Sequence, residues 1–357
     1  MKQIIFKGRG EYAVLLGKGI LSSCGELIRT RFSGRKILIV SDAAVASVYL
    51  DGVAKNLEAC GIEVFSHILP EGAVSKSLST AEGILTAACD VGLSRKDAFL
   101  SLGGGVCHDI TGFSASVYRR GAGFISLPTS LVAMSDASVG GKVWCDLPGY
   151  TDMVGAYKEP LIVISDVTAL DTLPQSKYTD GMAEIIKTAA LGSAELFTEL
   201  CENAATPDIE DVILRCLNCK KAMTEAADGV SIRRMLDFGN TVGGAIERYY
   251  GPEAVSHGQA LGIGMVAVTD AAERAGITVK GTAEKLAACL AEYSLPARTT
   301  IPLDEISRLM TDNVKRTGEY VVLPTLADIA KPVFLKLAPD EVLPFFEKGI
   351  MPKEISL

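Results

Sequence analysis

The chain has 357 residues, 48% of them apolar and 22% charged, which is ordinary globular usage at roughly twice the length of one average domain. Thirty-five basic against 43 acidic residues leave a net charge of −8, which excludes a broad nucleic-acid surface but permits a local basic pocket for a small anion. No apolar run reaches the roughly 18 residues that span a bilayer, and residues 1–12 lack the apolar stretch of a secretion signal, so a cytoplasmic protein with no membrane or nucleic-acid partner is expected.

In chain order, residues 3–6 and 12–16 flank Gly8 and Gly10 and suit an antiparallel hairpin. Short, almost uninterrupted apolar runs follow at 36–40, 62–69, 98–102, 123–127 and 161–165, alternating with helical stretches. That pattern winds a parallel sheet covered on both faces, so an α/β domain is expected over 1–172. Leu173-Pro174 offers a boundary, because the residue before proline leaves helical geometry. Beyond it β-rich runs nearly vanish, and helical periodicity recurs at 179–191, 209–226, 237–248, 259–275 and 282–293, predicting a mostly α-helical second domain over 173–357.

Nine cysteines are an odd number scattered through the chain and read as reduced thiols. Cys216 and Cys219 form a CxxC with no second pair at zinc-site spacing, inside a stretch that reads as helix. Of the three histidines, His67 falls in a strand and reads as a core or edge residue. His108 sits beside Asp109 at a helix start, where a surface position is the plain reading and a cofactor contact or proton acceptor the alternative.

Run 98–102 leads straight into Gly103-Gly104-Gly105-Val106 and a helical stretch. A strand, a glycine turn and a helix start aim backbone N–H groups and the positive helix end at a pyrophosphate. The spacing is not G-x-G-x-x-G, so a turn that needs glycine only for its backbone angles stands beside the nucleotide reading. Asp42 ends the run from 36, where such sheets hold ligands, and serves equally as a helix N-cap.

Gly103-Gly104-Gly105, Asp109, Arg120-Gly121, Pro128-Thr129, Asp136, Ser138-Val139-Gly140-Gly141-Lys142, Gly181-Met182-Ala183-Glu184, Lys187 and His257-Gly258 stand in an order and spacing that resembles the 3-dehydroquinate synthase family over roughly residues 12–330. The resemblance implies a Rossmann-like NAD domain, a helical metal- and substrate-binding domain, a cleft between them and a homodimer. It also implies a lyase of the shikimate pathway in aromatic amino acid biosynthesis. Such an enzyme oxidises a sugar acid phosphate with NAD, eliminates phosphate, reduces the ketone again and closes a carbocycle by aldol addition.

Carried over by position, the implied NAD set is Asp42, Lys76, Gly104, Gly105, Val106, Asp109, Thr129, Ser130 and Asp136. Ala73 stands where a ribose-binding glutamate is usual, with Glu71 nearby. The implied substrate set is Arg120, Lys142, Lys187, Lys221 and Arg233, and the implied catalytic set is Lys142, Lys187 and Asp136. The metal set maps onto Glu184, Asn240 and His257. The family segment N-F-G-H-x-x-G-H-A-I-E reads here from Asp237 to Glu247, with Asn240 and Gly244 in place of both histidines. On one helix Asp237 and Asn240 would share a face, giving an oxygen-rich site that shifts preference from the family's zinc toward manganese or magnesium.

On the phosphate side, Thr151 and Asp152 replace lysine and asparagine, and Asn313-Val314 replace a lysine pair, with Lys315 and Arg316 just beyond. Three readings stay open. The first is a carbocycle-forming lyase with altered metal and phosphate sites. The second is a sugar phosphate cyclase or metal-dependent alcohol or polyol dehydrogenase acting on another substrate. The third is an NAD-binding homologue without catalysis.

Overall fold

The computed structural model describes residues 1–8, 10–70, 75–148, 150–204, 207–226, 233–251, 254–312, 316–317, 320–352 and 354–356. The chain divides into two compact units, Met1–Tyr178 and Thr179–Leu357. Among the described residues no helix is long and apolar enough to cross a membrane.

The first unit is built on seven strands: β1 (Lys2–Lys7), β2 (Glu11–Gly17), β3 (Lys36–Asp42), β4 (Glu63–Leu69), β5 (Ala98–Gly103), β6 (Gly123–Pro128) and, later in the chain, β9 (Ile162–Asp166). Their order is β1-β2-β9-β6-β5-β3-β4, with β1 antiparallel to β2 and the rest parallel. The expected hairpin is present as β1 and β2, and β2 also joins the sheet by pairing with β9.

Helices α1 (Cys24–Arg29), α2 (Ala43–Ala59), α3 (Leu78–Asp90) and α4 (Gly105–Val117) complete the layers. Alternate residues of each strand enter two different cores. Ile37 and Ile39 join Leu57, Leu100 and Ile125 on one face, while Leu38 and Val40 join Ile84, Phe99, Ile110 and Phe124 on the other. Burial of both faces is why the strands read as continuous apolar runs rather than as alternation.

Two strands that the periodicity did not suggest, β7 (Lys142–Leu147) and β8 (Tyr150–Tyr157), form an antiparallel hairpin whose Val143 and Cys145 enter the second core. Between β6 and β7, Ala133–Ala137 winds as a π turn, closed by Ser138 N–H donating to the Ala133 carbonyl at 3.1 Å.

The second unit holds most of α5 (Gln175–Gly192), then α6 (Ala194–Glu202), α7 (Ile209–Glu225), α8 (Asn240–Tyr250), α9 (His257–Arg274), α10 (Thr282–Glu292), α11 (Leu303–Thr311) and α12 (Pro339–Lys348). It also holds a sheet that the sequence reading did not foresee. Strands β10 (Arg316–Thr317), β11 (Tyr320–Asp328), β12 (Lys331–Leu337) and β13 (Glu354–Ser356) pair antiparallel in that order. Leu323, Leu326, Leu335 and Leu337 are all buried there.

The expected helix over 237–248 is corrected. Asp237 closes a 3-10 turn, and the chain then breaks at Gly239, whose φ of 80° is left-handed, before α8 starts at Asn240. Close packing forces the break: a Cβ on Gly239 would lie 2.6 Å from Met265 Cγ, and one on Gly264 would lie 2.2 Å from the Gly239 carbonyl oxygen. Only paired glycines let the two backbones approach so nearly.

Candidate active site

The sheet order reverses between β3 and β5, since the chain runs outward from β3 to β4 and returns to the other side of β3. Ligands of open α/β sheets bind outside the carboxyl ends of the strands at such a point. Asp42 lies at that end of β3. Its Oδ1 accepts the Val45 N–H at 2.9 Å as N-cap of α2, and its Oδ2 is 3.6 Å from where a Cβ on Gly103 would be. The capping reading of Asp42 is thus met.

Gly104, in extended geometry, is the N-cap of α4, which leaves the first turn's amides without a side-chain cap. Thr129 N–H donates to the Gly103 carbonyl at 3.0 Å, tying the end of β6 to the glycine turn. A Cβ on Gly104 would meet Ser130 Oγ at 3.2 Å, and one on Gly103 would meet Cys107 Cβ at 2.8 Å. Asp42, Gly104, Gly105, Thr129 and Ser130 therefore gather around one turn, with Val106 exposed on its rim. This backbone cradle, uncapped and without room for side chains, fits a dinucleotide pyrophosphate.

Lys76 lies in a second cluster of the same unit. Its Nζ is 2.9 Å from Asp109 Oδ2 and 2.7 Å from Asp152 Oδ1, and it lies 5.1 Å from the ring centre of Trp144, the chain's only tryptophan. Lys142 Nζ lies 5.7 Å from that ring centre. Backbone bonds fasten the group. Asp146 N–H donates to the Lys76 carbonyl at 2.6 Å, and Asp152, at a left-handed φ of 57°, donates its N–H to Asp146 Oδ1 at 2.7 Å. Burial pushes the Asp109 carboxyl up to about 6, against the pull of Lys76. Asp152 was foreseen only as a lost phosphate contact; its partnership with Lys76, and the part of Trp144, were not.

His108 is corrected from a surface position. It is buried, with Nδ1 2.9 Å from Ser126 Oγ and its ring 4.9 Å from Phe124, because α4 lies flat on β6 at that turn. His67 lies on edge strand β4, against Gly83 of α3. All nine cysteines are free thiols. Asp136 lies half-buried on the π turn, and exposed Arg120 has a left-handed φ of 66°.

In the second unit, Glu184 and Lys187 are buried on α5 and paired at 2.5 Å through Glu184 Oε2. The other carboxylate oxygen, Oε1, is 3.0 Å from His257 Nε2 at the start of α9. His257 Nδ1 is 2.8 Å from Glu247 Oε1 on α8. Burial alone would raise the Glu184 carboxyl, but Lys187 and His257 hold it far below the ordinary range. Desolvation works against a charged His257 ring, yet hydrogen bonds to Glu184 and Glu247 carry it up to about 10.

Glu247 accepts the Nδ1 proton, and Nε2, which donates to Glu184 while the ring is charged, is the nitrogen that a cation would take in place of its proton. Asn240 Oδ1 is buried without a hydrogen-bond partner, an oxygen still owed a donor or a cation. Asp237 does not share its helix face, since the break at Gly239 intervenes. Among the described residues no three His, Cys, Asp or Glu side chains cluster to hold a metal. The donor types of Glu184, His257 and Asn240, two oxygens and one nitrogen, suit a harder cation than a site with two imidazoles would.

Lys221 pairs with Glu225 one turn along α7, and Arg233 caps the 3-10 turn that ends at Asp237. Lys220, next to Lys221, is the buried member of that lysine pair and was not singled out from sequence. Glu71, Ala73, Asp228, Asn313, Val314 and Lys315 lie outside the described residues, and Thr151 and Arg316 are placed only as strand residues.

Comparison with known proteins decides the lineage. A family model described as 3-dehydroquinate synthase N-terminal matches residues 66–180, and one described as 3-dehydroquinate synthase C-terminal matches residues 181–316. The chain belongs to the 3-dehydroquinate synthase family. The 3-dehydroquinate synthase of Clostridium acetobutylicum is 36% identical over 328 residues, covering 90% of this chain and 92% of that one. That of Streptococcus sanguinis is 34% identical over 345 residues, covering 94% and 97%.

Among solved structures, 2-epi-5-epi-valiolone synthase from Streptomyces hygroscopicus, with NAD+ and Zn2+ bound, superposes with a TM-score of 0.84 at 25% identity, covering 94% of this chain and 95% of that one. A 2-deoxy-scyllo-inosose synthase complexed with carbaglucose-6-phosphate, NAD+ and Co2+ has a TM-score of 0.82 at 21% identity, covering 98% and 99%. The dehydroquinate synthase-like fold, an α/β unit followed by a largely helical one, is therefore this chain's fold.

Proposed function

We propose that this member of the 3-dehydroquinate synthase family is an NAD-dependent carbocycle-forming lyase acting on a small anionic sugar acid phosphate, as a cytoplasmic homodimer. The observation that carries the reading is Glu184 held between buried Lys187 and His257, an ionised carboxylate with a histidine nitrogen 3.0 Å away.

Asp42, Lys76, Gly104, Gly105, Val106, Asp109, Thr129, Ser130 and Asp136 would hold NAD, the glycine-turn amides receiving its pyrophosphate. Glu184, His257 and Asn240 would hold a divalent cation. When bound, the two groups supply a two-electron acceptor and donor and a Lewis acid for the carbinol and ketone oxygens. The chain's own work is then positional and acid–base. Lys187 keeps Glu184 ionised in a buried place, and Glu247 fixes the His257 tautomer.

Lys142, Lys187 and Asp136 are the candidates for proton transfer, the lysines also neutralising charge that develops on an oxygen. Arg120, Lys142, Lys187, Lys221 and Arg233 would receive the substrate's anionic groups, Arg233 suiting a carboxylate by its planar fork.

The test incubates the pure protein with NAD, manganese, magnesium, cobalt or zinc, and the seven-carbon sugar acid phosphate on which the family acts. Stoichiometric phosphate release without net NADH supports cyclisation. NADH accumulation without phosphate identifies a dehydrogenase, and NAD binding with neither product identifies a non-catalytic homologue.

A further inference from the structure

Asp180, Glu184 and Lys187 stand at i, i+4 and i+7 on α5 and are all buried. Glu184 faces the His257 ring and pairs with Lys187, whereas Asp180 takes hold of the residues on either side of that histidine. Its Oδ1 accepts the Gly258 N–H at 3.2 Å and also the Ser256 hydroxyl. These residues stand immediately before and after His257.

The approach is close. A Cβ on Gly258 would lie 2.6 Å from Asp180 Cα, so only glycine lets the start of α9 rest on α5 here. Ordinary helix capping does not require Asp180, because a capping box already serves that end: Ser256 Oγ accepts the Gln259 N–H at 3.3 Å, and Ser256 N–H donates to Gln259 Oε1 at 3.0 Å. Helix α5 thus grips His257 twice, its ring through Glu184 and its backbone through Asp180.

We infer that Asp180 is a positioning residue, which sets the distance and direction of His257 Nε2 relative to the Glu184 carboxylate and so fixes the pair of donors offered to a divalent cation. The inference rests on the reading of Glu184 and His257 as cation donors given above.

The experiment uses the full chain as Asp180→Asn, Asp180→Ala and Ser256→Ala. Cobalt and manganese affinities are measured by competition with a chromogenic chelator. The ring nitrogens of the three histidines are followed by long-range proton–nitrogen NMR in metal-free protein, with His257→Gln identifying the His257 signal. Asn keeps the accepting oxygen, so Asp180→Asn should stay within about threefold of the parent, while Asp180→Ala should weaken cation binding about 10- to 100-fold, the range for outer-shell partners of a metal ligand. It should also move the His257 ring signals alone. Ser256→Ala, which removes one of the two Asp180 hydrogen bonds together with the Ser256–Gln259 cap, should fall between and serves if Asp180→Ala does not fold, read against Gln259→Ala, which disturbs the capping box alone.

Unchanged affinity and unchanged His257 signals in Asp180→Ala, or in Ser256→Ala if that is the variant that folds, would overturn the inference. If the parent itself binds neither cation, the metal reading above fails. The NMR comparison still decides Asp180, since a His257 signal that does not move refutes it and one that moves supports it.

Discussion

Removing the charge of Asp109 should make the protein more stable at neutral pH, although it removes one partner of a buried ion pair. Asp109 is 2.9 Å from Lys76, yet burial raises its carboxyl from 3.8 to about 6, and the nearby Asp152 adds to that. The folded state therefore binds the proton more tightly than the unfolded chain. Stability from this group is fully present below pH 3.8 and is lost as pH rises through about 6. The difference corresponds to about 3 kcal/mol above pH 7. Asp109→Asn mimics the protonated form, so it should gain up to about 3 kcal/mol at pH 8 and nothing below about pH 4.

Trp144 is the only tryptophan, lies in the first unit and touches Lys76, so urea denaturation followed by its fluorescence reports that unit at each pH. The reasoning is refuted if Asp109→Asn is the less stable protein at pH 8, as expected were the Lys76 attraction to exceed the desolvation cost. It is refuted as well if the difference between the two proteins does not change with pH.

Lys187→Met should cost about 3 to 5 kcal/mol by calorimetry or urea, because it strands the ionised Glu184 in a buried site. Gly239→Ala should cost at least about 2 kcal/mol, combining a left-handed backbone with a Cβ 2.6 Å from Met265 Cγ; an unfolding midpoint within error of the parent would contradict the packing. Asn240→His should raise zinc retention after dialysis about tenfold or more, since an imidazole nitrogen suits zinc better than an amide oxygen; elemental analysis reads it. Gly104→Val should weaken NAD binding at least about tenfold in a fluorescence titration, as its branched side chain would crowd Ser130 at the glycine turn.

The main sheet of the first unit was legible because burial on both faces leaves a plain mark, uninterrupted apolar runs such as those of β3 and β5, and because glycine clusters mark turns. The sheet of β11 and β12 was not. Pro324 interrupts the first strand, and the turn between them uses Ala330 at a φ of 61° instead of the expected glycine or asparagine. Asp237 and Asn240 were placed on one helix face because periodicity assumes an unbroken coil, and Gly239 breaks it for a packing reason that lies 25 residues away at Gly264.

At the site, Glu184 and His257 were read by likeness alone, and their partners were missed. Glu247 was within reach, since it stands at i+7 from Asn240 on the same helix, and so was Asp180, one turn before Glu184. The bond of Asp152 to Lys76 spans 76 positions and leaves no local trace.

The π turn at Ala133–Ala137 makes that stretch the natural place for the length of this chain to vary. Its coil carries one residue more than the tighter winding needs, so excision of a single residue there can be absorbed without a gap. Because the excised residue is the surplus one, the chain that follows would keep nearly its present direction about the axis. A shortened relative would thus keep its fold, with only the winding between Ala133 and Ala137 tightened.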